Sequence, residues 1–515
     1  MIDLPFRPER TSAEPVFRQL AGTLRALIGS GRLAPGTKLP ATRELAASLA
    51  LGRASISHAY DELVREGWLT AHVGQGTFVA LGPPGDAAPV RPGAVPSRRF
   101  VWAGLFALRA RLLSAPRGFA PRGSDPPIRF DFRGGQVDRG SLPGDDLRRA
   151  FSRAVARQLG DLSEHQDPRG WPPLRHEIAR YLVSRGIACG ADDILVVNGA
   201  QQAIDLAAHV LVDPGDTVVM EQPGYFGASM AFTASQANLV GVGVDAEGLR
   251  TDQLARVLKA RRVKLLYTTP AAQSPTGVVL SERRRGELIA LADEHQVPIL
   301  EDDYDSELRY QGPPVAALKT LDGSGQVIYV GTFSKVLFPT LRVGFVVAPA
   351  PLLEKMLLAR WNADVGTAAL SQAALAALLR TGALARHVRR VRKIYAERLR
   401  TMVDALARSM PGGTRWTEPH GGLTLWVTLP GGVDAEGVFR AASEAGIAYT
   451  RGEVFHFDGR GQSSLNLSFA SLPPARIAEG VALLGGMVGR YLPRSARRAS
   501  SRGRNETHAA IVAGR

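Results

Sequence analysis

The chain has one cysteine, Cys189, among 515 residues. That excludes an intrachain disulfide framework and suits a reducing compartment. No apolar run is long enough to cross a bilayer, and residues 1–10 lack the apolar core of a secretory leader. The expected setting is therefore cytoplasmic, with no membrane partner. Acidic residues are in deficit, 48 against 63 Lys and Arg, for a net charge of +15. The deficit is uneven: residues 81–127 carry seven Arg against two Asp, and residues 491–515 carry six Arg against one Glu. Ten of the fifteen excess charges thus fall in two stretches without strand or helix periodicity, a distribution that suits nucleic acid electrostatically. A chain of this length is too long for one core, so two or three domains are expected.

What is present centres on Val330-Gly331-Thr332-Phe333-Ser334-Lys335, with Arg342 seven positions on. Gln326 to Val330 reads as a buried strand. A lysine at its end, among Phe333, Val336, Leu337 and Phe338, sits where desolvation lowers an amine's pKa and makes it nucleophilic. Upstream, Val297 to Leu300 reads as a second buried strand running into Glu301-Asp302-Asp303-Tyr304-Asp305. The three consecutive acids that open this run are costly unless a cation meets them, and a protonated pyridine nitrogen is one such cation. Ile194 to Val197 leads through Asn198-Gly199 into an amphipathic helix, an arrangement that aims free backbone N–H groups at an anion. Tyr225, just past another strand, suits stacking on a ring.

Taken in order, Tyr225, the Ala271-to-Gly277 loop, Asp302, Tyr304, Lys335 and Arg342 resemble the fold-type I aminotransferases over residues 128–491. The resemblance implies pyridoxal 5'-phosphate in an α/β domain, with Lys335 forming its Schiff base. Asp302 would pair the pyridine nitrogen, Tyr304 the ring hydroxyl, and Tyr225 would stack. Ala200 and Gln201 (by backbone and side chain), Thr332, Ser334 and Arg342 would hold the phosphate, and Ser274 stands at the family's cofactor-side asparagine. No metal site is expected.

Residues 9–80 read as a second unit. Apolar spacing predicts helices over Val16–Ile28, from a Thr42 cap, and over Ser55–Glu66, the last with Ile56, Ala59, Tyr60 and Leu63 inward. Two short strands then flank His72-Val73-Gly74-Gln75-Gly76 as a wing. Leu39-Pro40-x-x-Arg43-x-Leu45-Ala46, Ala59-Tyr60 and Gly74-x-Gly76-Thr77-Phe78 are similar to the winged helix-turn-helix (α+β) of the GntR regulators. That likeness implies double-stranded operator DNA as partner, met by Arg43, Arg53, Ser55, Ser57 and Gly74. The unit is only mildly basic, nine Arg and Lys against seven acids over residues 1–80, so its binding would lean on the linker as well. Residues 81–127, with recurrent prolines from Pro83 to Pro121, read as a tether. Within it, Phe100–Leu113 suggests a short helix lying on a neighbour. Residues 492–515 read as a disordered basic tail.

The combination resembles the MocR subfamily of GntR regulators, which implies a homodimer whose body senses an amino compound or the cofactor itself. Four positions depart from the relatives' pattern. Asn466 replaces the arginine that grips a substrate carboxylate. Ala272 stands for a loop histidine, beside Ser274. His165 stands for a tyrosine reaching the partner subunit, and Thr424 for a frequent histidine. A bidentate Arg–carboxylate contact has no substitute in Asn466, so ordinary α-amino-acid transamination is not expected. A working aminotransferase with an accessory DNA-binding domain is the alternative, and a catalytically dead dimerisation scaffold the third reading.

Overall fold

The computed structural model describes residues 6, 8–9, 14–29, 32–72, 76–80, 106–113, 127–164 and 167–493. Two compact units divide it, Met1–Gly104 and Leu105–Arg515. The tail from residue 494, nearly all of the tether, His165 and Gly74 lie outside the described residues.

In the first unit α1 (Val16–Gly29), α2 (Thr42–Leu49) and α3 (Arg53–Arg65) pack around Leu20, Leu24, Leu45, Ile56, Ala59 and Leu63. Arg25 ties α1 to α3 through Glu62 (3.1 Å) and Glu66 (2.7 Å). Thr42 is not the cap of α2. The helix begins one residue after Ala41, which is extended, and the exposed Glu44 carboxylate accepts from the Ala41 N–H at 3.3 Å. The side chain three residues into the helix thus does the capping. Strands β1 (Leu69–His72) and β2 (Gly76–Val79) pair antiparallel, Leu69 opposite Val79. The segment before α2 adds to them, because the Leu39 N–H donates to Thr77 O and the Val79 N–H to Thr37 O.

The second unit is a three-layer α/β body with a smaller sheet attached. Phe130–Asp131 (β3) belongs to a two-stranded pair. The large sheet has eight strands: β4 (Ile194–Val197), β5 (Thr217–Gln222), β6 (Asn238–Asp245), β7 (Gly248–Leu249), β8 (Val263–Thr268), β9 (Ile299–Asp303), β10 (Val327–Thr332) and β11 (Gly344–Val347). Their order is β4-β11-β10-β9-β8-β5-β6-β7. All neighbours are parallel except β7 against β6 and β11, which runs against both β10 and β4. Continuous burial along β4 and β10 is what a parallel sheet covered on both faces demands.

The small sheet has four strands, β12 (Arg415–Trp416), β13 (Thr424–Thr428), β15 (Thr450–Arg451) and β16 (Ser464–Ser468), in the order β12-β13-β16-β15, while β14 (Ile447–Ala448) pairs β3 apart from it. Its residues alternate. Leu425, Val427, Leu465 and Leu467 join the main core, and Thr424, Trp426 and Asn466 take the opposite face. The short helix foreseen within Phe100–Leu113 spans Leu108–Leu112, beside the helix Phe226–Ala234.

Candidate functional site

Five parallel strands deliver their carboxyl ends to one crevice, the usual place for a ligand in an open α/β sheet. After β4, Gly199 takes φ +88° and caps the helix Ala200–Leu211. A Cβ at Gly199 would stand 3.2–3.3 Å from the Arg342 guanidinium, so glycine lets that arginine reach the helix start. Arg342 donates to the Asn198 carbonyl there. At the end of β10, Thr332 Oγ1 accepts from the Ser334 N–H (3.3 Å) and lies 3.0 Å from Ser334 Oγ. Helix N–H groups, two hydroxyls and a guanidinium thus share one small region, an anion cup by composition. Gln201 contributes differently from expectation. Its side-chain amide donates to Gly227 O (2.8 Å) and its Oε1 accepts from Tyr225 OH (3.1 Å). Its side chain therefore braces Tyr225, and the backbone N–H is left for an anion.

The acids of residues 301–303 lie inside β9 rather than beyond it, and they part three ways. Glu301 accepts from the N–H groups of Leu318 (2.7 Å) and Lys319 (2.9 Å) and closes a turn. Asp303 meets Tyr329 OH (2.5 Å) and Arg185 (3.1 Å). Asp302 faces the crevice. Its Oδ2 accepts from Tyr267 OH at 2.8 Å, and its Oδ1 is buried without a partner. Burial, reinforced by Asp303, pushes the Asp302 pKa up to about 7 against the pull of Tyr267 and Lys335. Burial likewise drives the Lys335 amine below its ordinary value, opposed by Asp305 and then Asp302. Tyr304 donates to the Ala272 carbonyl at 2.8 Å, and Ser274 is half-buried in the same loop. Tyr225 is pushed up to about 12, by burial first.

Residues 135–484 match the family model for aminotransferase class I and II, and residues 17–79 match that for the bacterial regulatory proteins of the gntR family. The probable rhizopine catabolism regulatory protein MocR of Rhizobium meliloti is 35% identical over 92% of this chain and 94% of its own length. The regulator TauR of Rhodobacter capsulatus is 34% identical over 88% and 92%. The chain belongs to the MocR-type GntR regulators.

A solved aminotransferase shares the body of this MocR-type regulator. LysN, the α-aminoadipate aminotransferase of Thermus thermophilus, is 33% identical, with a TM-score of 0.72 over 76% of this chain and 99% of that one. Pyridoxal 5'-phosphate is the cofactor this body implies, and the residues fit it. The orphaned Asp302 Oδ1 awaits a cationic donor, the anion cup lies at the helix start, and the Tyr225 ring is braced by Gln201. When bound, the cofactor supplies an aldehyde that amines capture and a ring that withdraws electrons.

Sequence reasoning passed over Glu221, 1% exposed, which accepts from Thr268 Oγ1 (2.6 Å), Thr269 (2.7 Å and 3.1 Å) and Gln273 (3.3 Å) and so welds the 269–274 loop to β5. It also passed over Tyr267, whose only local sign is an aromatic at a strand end. In the winged unit Arg43 and Arg53 are exposed at the starts of α2 and α3, and Ser55 and Ser57 are half-buried on α3.

Proposed function

We propose that this MocR-type regulator holds pyridoxal phosphate on Lys335, senses a small amino compound or the cofactor itself, and in response alters its hold on operator DNA. It acts as a cytoplasmic homodimer. Arg43, Arg53, Ser55, Ser57 and the wing at Gly74 meet DNA, with the tether's arginines adding phosphate contacts. Asp302, Tyr304, Tyr225, Ser274, Ala200, Gln201, Thr332, Ser334 and Arg342 hold the cofactor, and Asn466 lines the effector pocket. The tether comprises residues 81–127 and the sensing body residues 128–491.

The observation that carries this reading is the pairing of a winged helix with a cofactor crevice that keeps its lysine and its acid but presents an amide at Asn466. The Asn466 Nδ2 donates to Pro275 O at 3.0 Å, so this position offers a substrate carboxylate a committed amide in place of a guanidinium. Transamination requires grip on the substrate as well as an electron sink. A second reading, an active aminotransferase with an accessory DNA-binding domain, is favoured by the likeness of the body to aminotransferases such as LysN.

One experiment separates them. The purified protein is loaded with cofactor, and its imine absorbance, its turnover of common amino acids with a keto acid, and its operator affinity are measured together. The regulator reading expects imine absorbance, negligible turnover and ligand-dependent DNA affinity. Robust turnover with DNA affinity indifferent to ligand selects the enzyme.

A further inference from the structure

The face of the small sheet that carries Asn466 offers an acceptor where an amino-acid site needs donors. Asn466 is 2% exposed, and its amide nitrogen is committed to Pro275 O (3.0 Å) and Leu425 O (3.4 Å). Its Oδ1 lies 3.5 Å from where a Cβ on Gly134 would stand, so an oxygen faces the N-terminal edge of the crevice. Thr424, two residues from Gly422, borders the same glycine with its methyl group.

Asp305 is also 2% exposed. Its Oδ2 stands 3.0 Å from a Cβ built on Gly422, and its Oδ1 has no hydrogen-bond partner. Its charge is the largest influence holding the Lys335 amine up against burial, so the carboxylate shares the space around the reactive amine. Burial raises Asp305 itself well above the carboxylate range. A buried carboxyl with an unused oxygen is costly until a cation reaches it.

An aromatic wall completes the pocket. Trp426 is paired with Asn466 across β13 and β16 and so shares its face. The Trp426 ring lies 5.7 Å from Phe455, Phe455 lies 6.4 Å from Phe226, and Phe226 lies 5.4 Å from Tyr225. Such rings take methylene chains and cations and give nothing to a carboxylate.

We propose that the effector is an amine carrying a second cationic group and no carboxylate, of the α,ω-diamine or aminoalkyl-guanidine class, with Asp305 receiving the second cation. The proposal rests on the reading that Lys335 carries the cofactor. A carboxylate in this pocket would meet the Asn466 oxygen and bring Asp305 no counter-charge, whereas a second cation satisfies Asp305 and passes along the rings.

The test titrates the cofactor-loaded full chain with putrescine, butylamine and γ-aminobutyrate, three compounds of similar length, following cofactor absorbance and binding heat. Putrescine is expected to half-saturate at a concentration at least about tenfold below butylamine, with γ-aminobutyrate weakest. In Asp305→Asn the putrescine-to-butylamine ratio should collapse to within about threefold. Asn466→Arg, which leaves Asp305 in place, should raise γ-aminobutyrate affinity and erode the preference for putrescine. Equal affinity for putrescine and butylamine, tighter binding of γ-aminobutyrate by the wild type, or an undiminished preference in Asp305→Asn overturns the proposal. A holo-protein whose absorbance answers none of the three amines also overturns the proposal, whereas failure of borohydride to fix the cofactor on Lys335 overturns the Lys335 reading itself. A butylamine response without diamine preference removes the cation site alone.

Discussion

Loss of water moves Lys335 and Asp302 in opposite directions, and both shifts favour the neutral forms. A neutral lysine attacks an aldehyde, and a buried carboxyl accepts a pyridinium once one arrives. Borohydride reduction of the loaded protein followed by peptide mapping should place a pyridoxyl group on Lys335, and Lys335→Ala should lose the imine absorbance. An unmodified Lys335 in loaded protein would refute the assignment. The Asp302 shift also has a sign in stability. Its pKa rises from an ordinary 3.8 to about 7 in the folded, cofactor-free chain, so the folded state holds that proton more tightly than the unfolded chain does. The group's contribution is best below pH 3.8 and worsens as pH rises toward about 7, by up to about 4 kcal/mol. Melting of the cofactor-free protein at pH 5 and pH 8 should therefore show a smaller alkaline loss in Asp302→Asn than in wild type. In the same variant, cofactor affinity should drop by about 10–100-fold, the usual loss for one charge-assisted bond. Equal pH slopes in variant and wild type would disprove the charge account.

At the scale of elements, the turn from β4 into Ala200–Leu211 is the most exacting piece. Gly199 sits at φ +88°, with Arg342 3.2 Å from any added Cβ. Gly199→Ala should cost about 1–3 kcal/mol of stability and displace Arg342, weakening cofactor retention in a fluorescence titration. Retention equal to wild type would show that the anion cup does not depend on this approach. In the winged unit, the exposed Arg43 and Arg53 open α2 and α3. Arg43→Ala and Arg53→Ala should each weaken operator binding about tenfold or more at fixed salt, with the cofactor absorbance unchanged. A mobility-shift titration at two salt concentrations checks both, and wild-type binding by either variant would remove that residue from the interface. Much of this level was legible beforehand. The β4 run Ile194–Val197 and the inward set Ile56, Ala59, Tyr60, Leu63 follow from periodicity alone. The division of Glu301, Asp302 and Asp303 among three partners did not, because alternation along a strand says which acids share a face and not what stands opposite.

For the whole molecule, the proposed small-molecule sensor and the winged helix-turn-helix, with residues 81–127 as the proposed tether, must be coupled through differential affinity. A typical coupling of about 1–3 kcal/mol corresponds to roughly a 5–150-fold change in operator affinity. Footprints with and without saturating effector should show that range, over two half-sites if the protein acts as a dimer. Protection of a single half-site, or an affinity that ignores the effector, would break the link between the two units.

The amino-acid order alone carried the two-part plan, and it supplied the residues that the proposal assigns to the cofactor and to the effector pocket, Lys335 and Asn466 among them. These are strand-end and helix-start residues, where local backbone direction dictates what a side chain can face. The three-dimensional fold decided which way the Asn466 amide turns, that Gln201 braces Tyr225, that Glu44 rather than Thr42 caps α2 by accepting from the Ala41 N–H, and that Asp305 lies against Gly422. Each of these depends on residues distant in the chain or on competition between neighbours for one hydrogen bond. Their partners are chosen by packing, which periodicity does not encode.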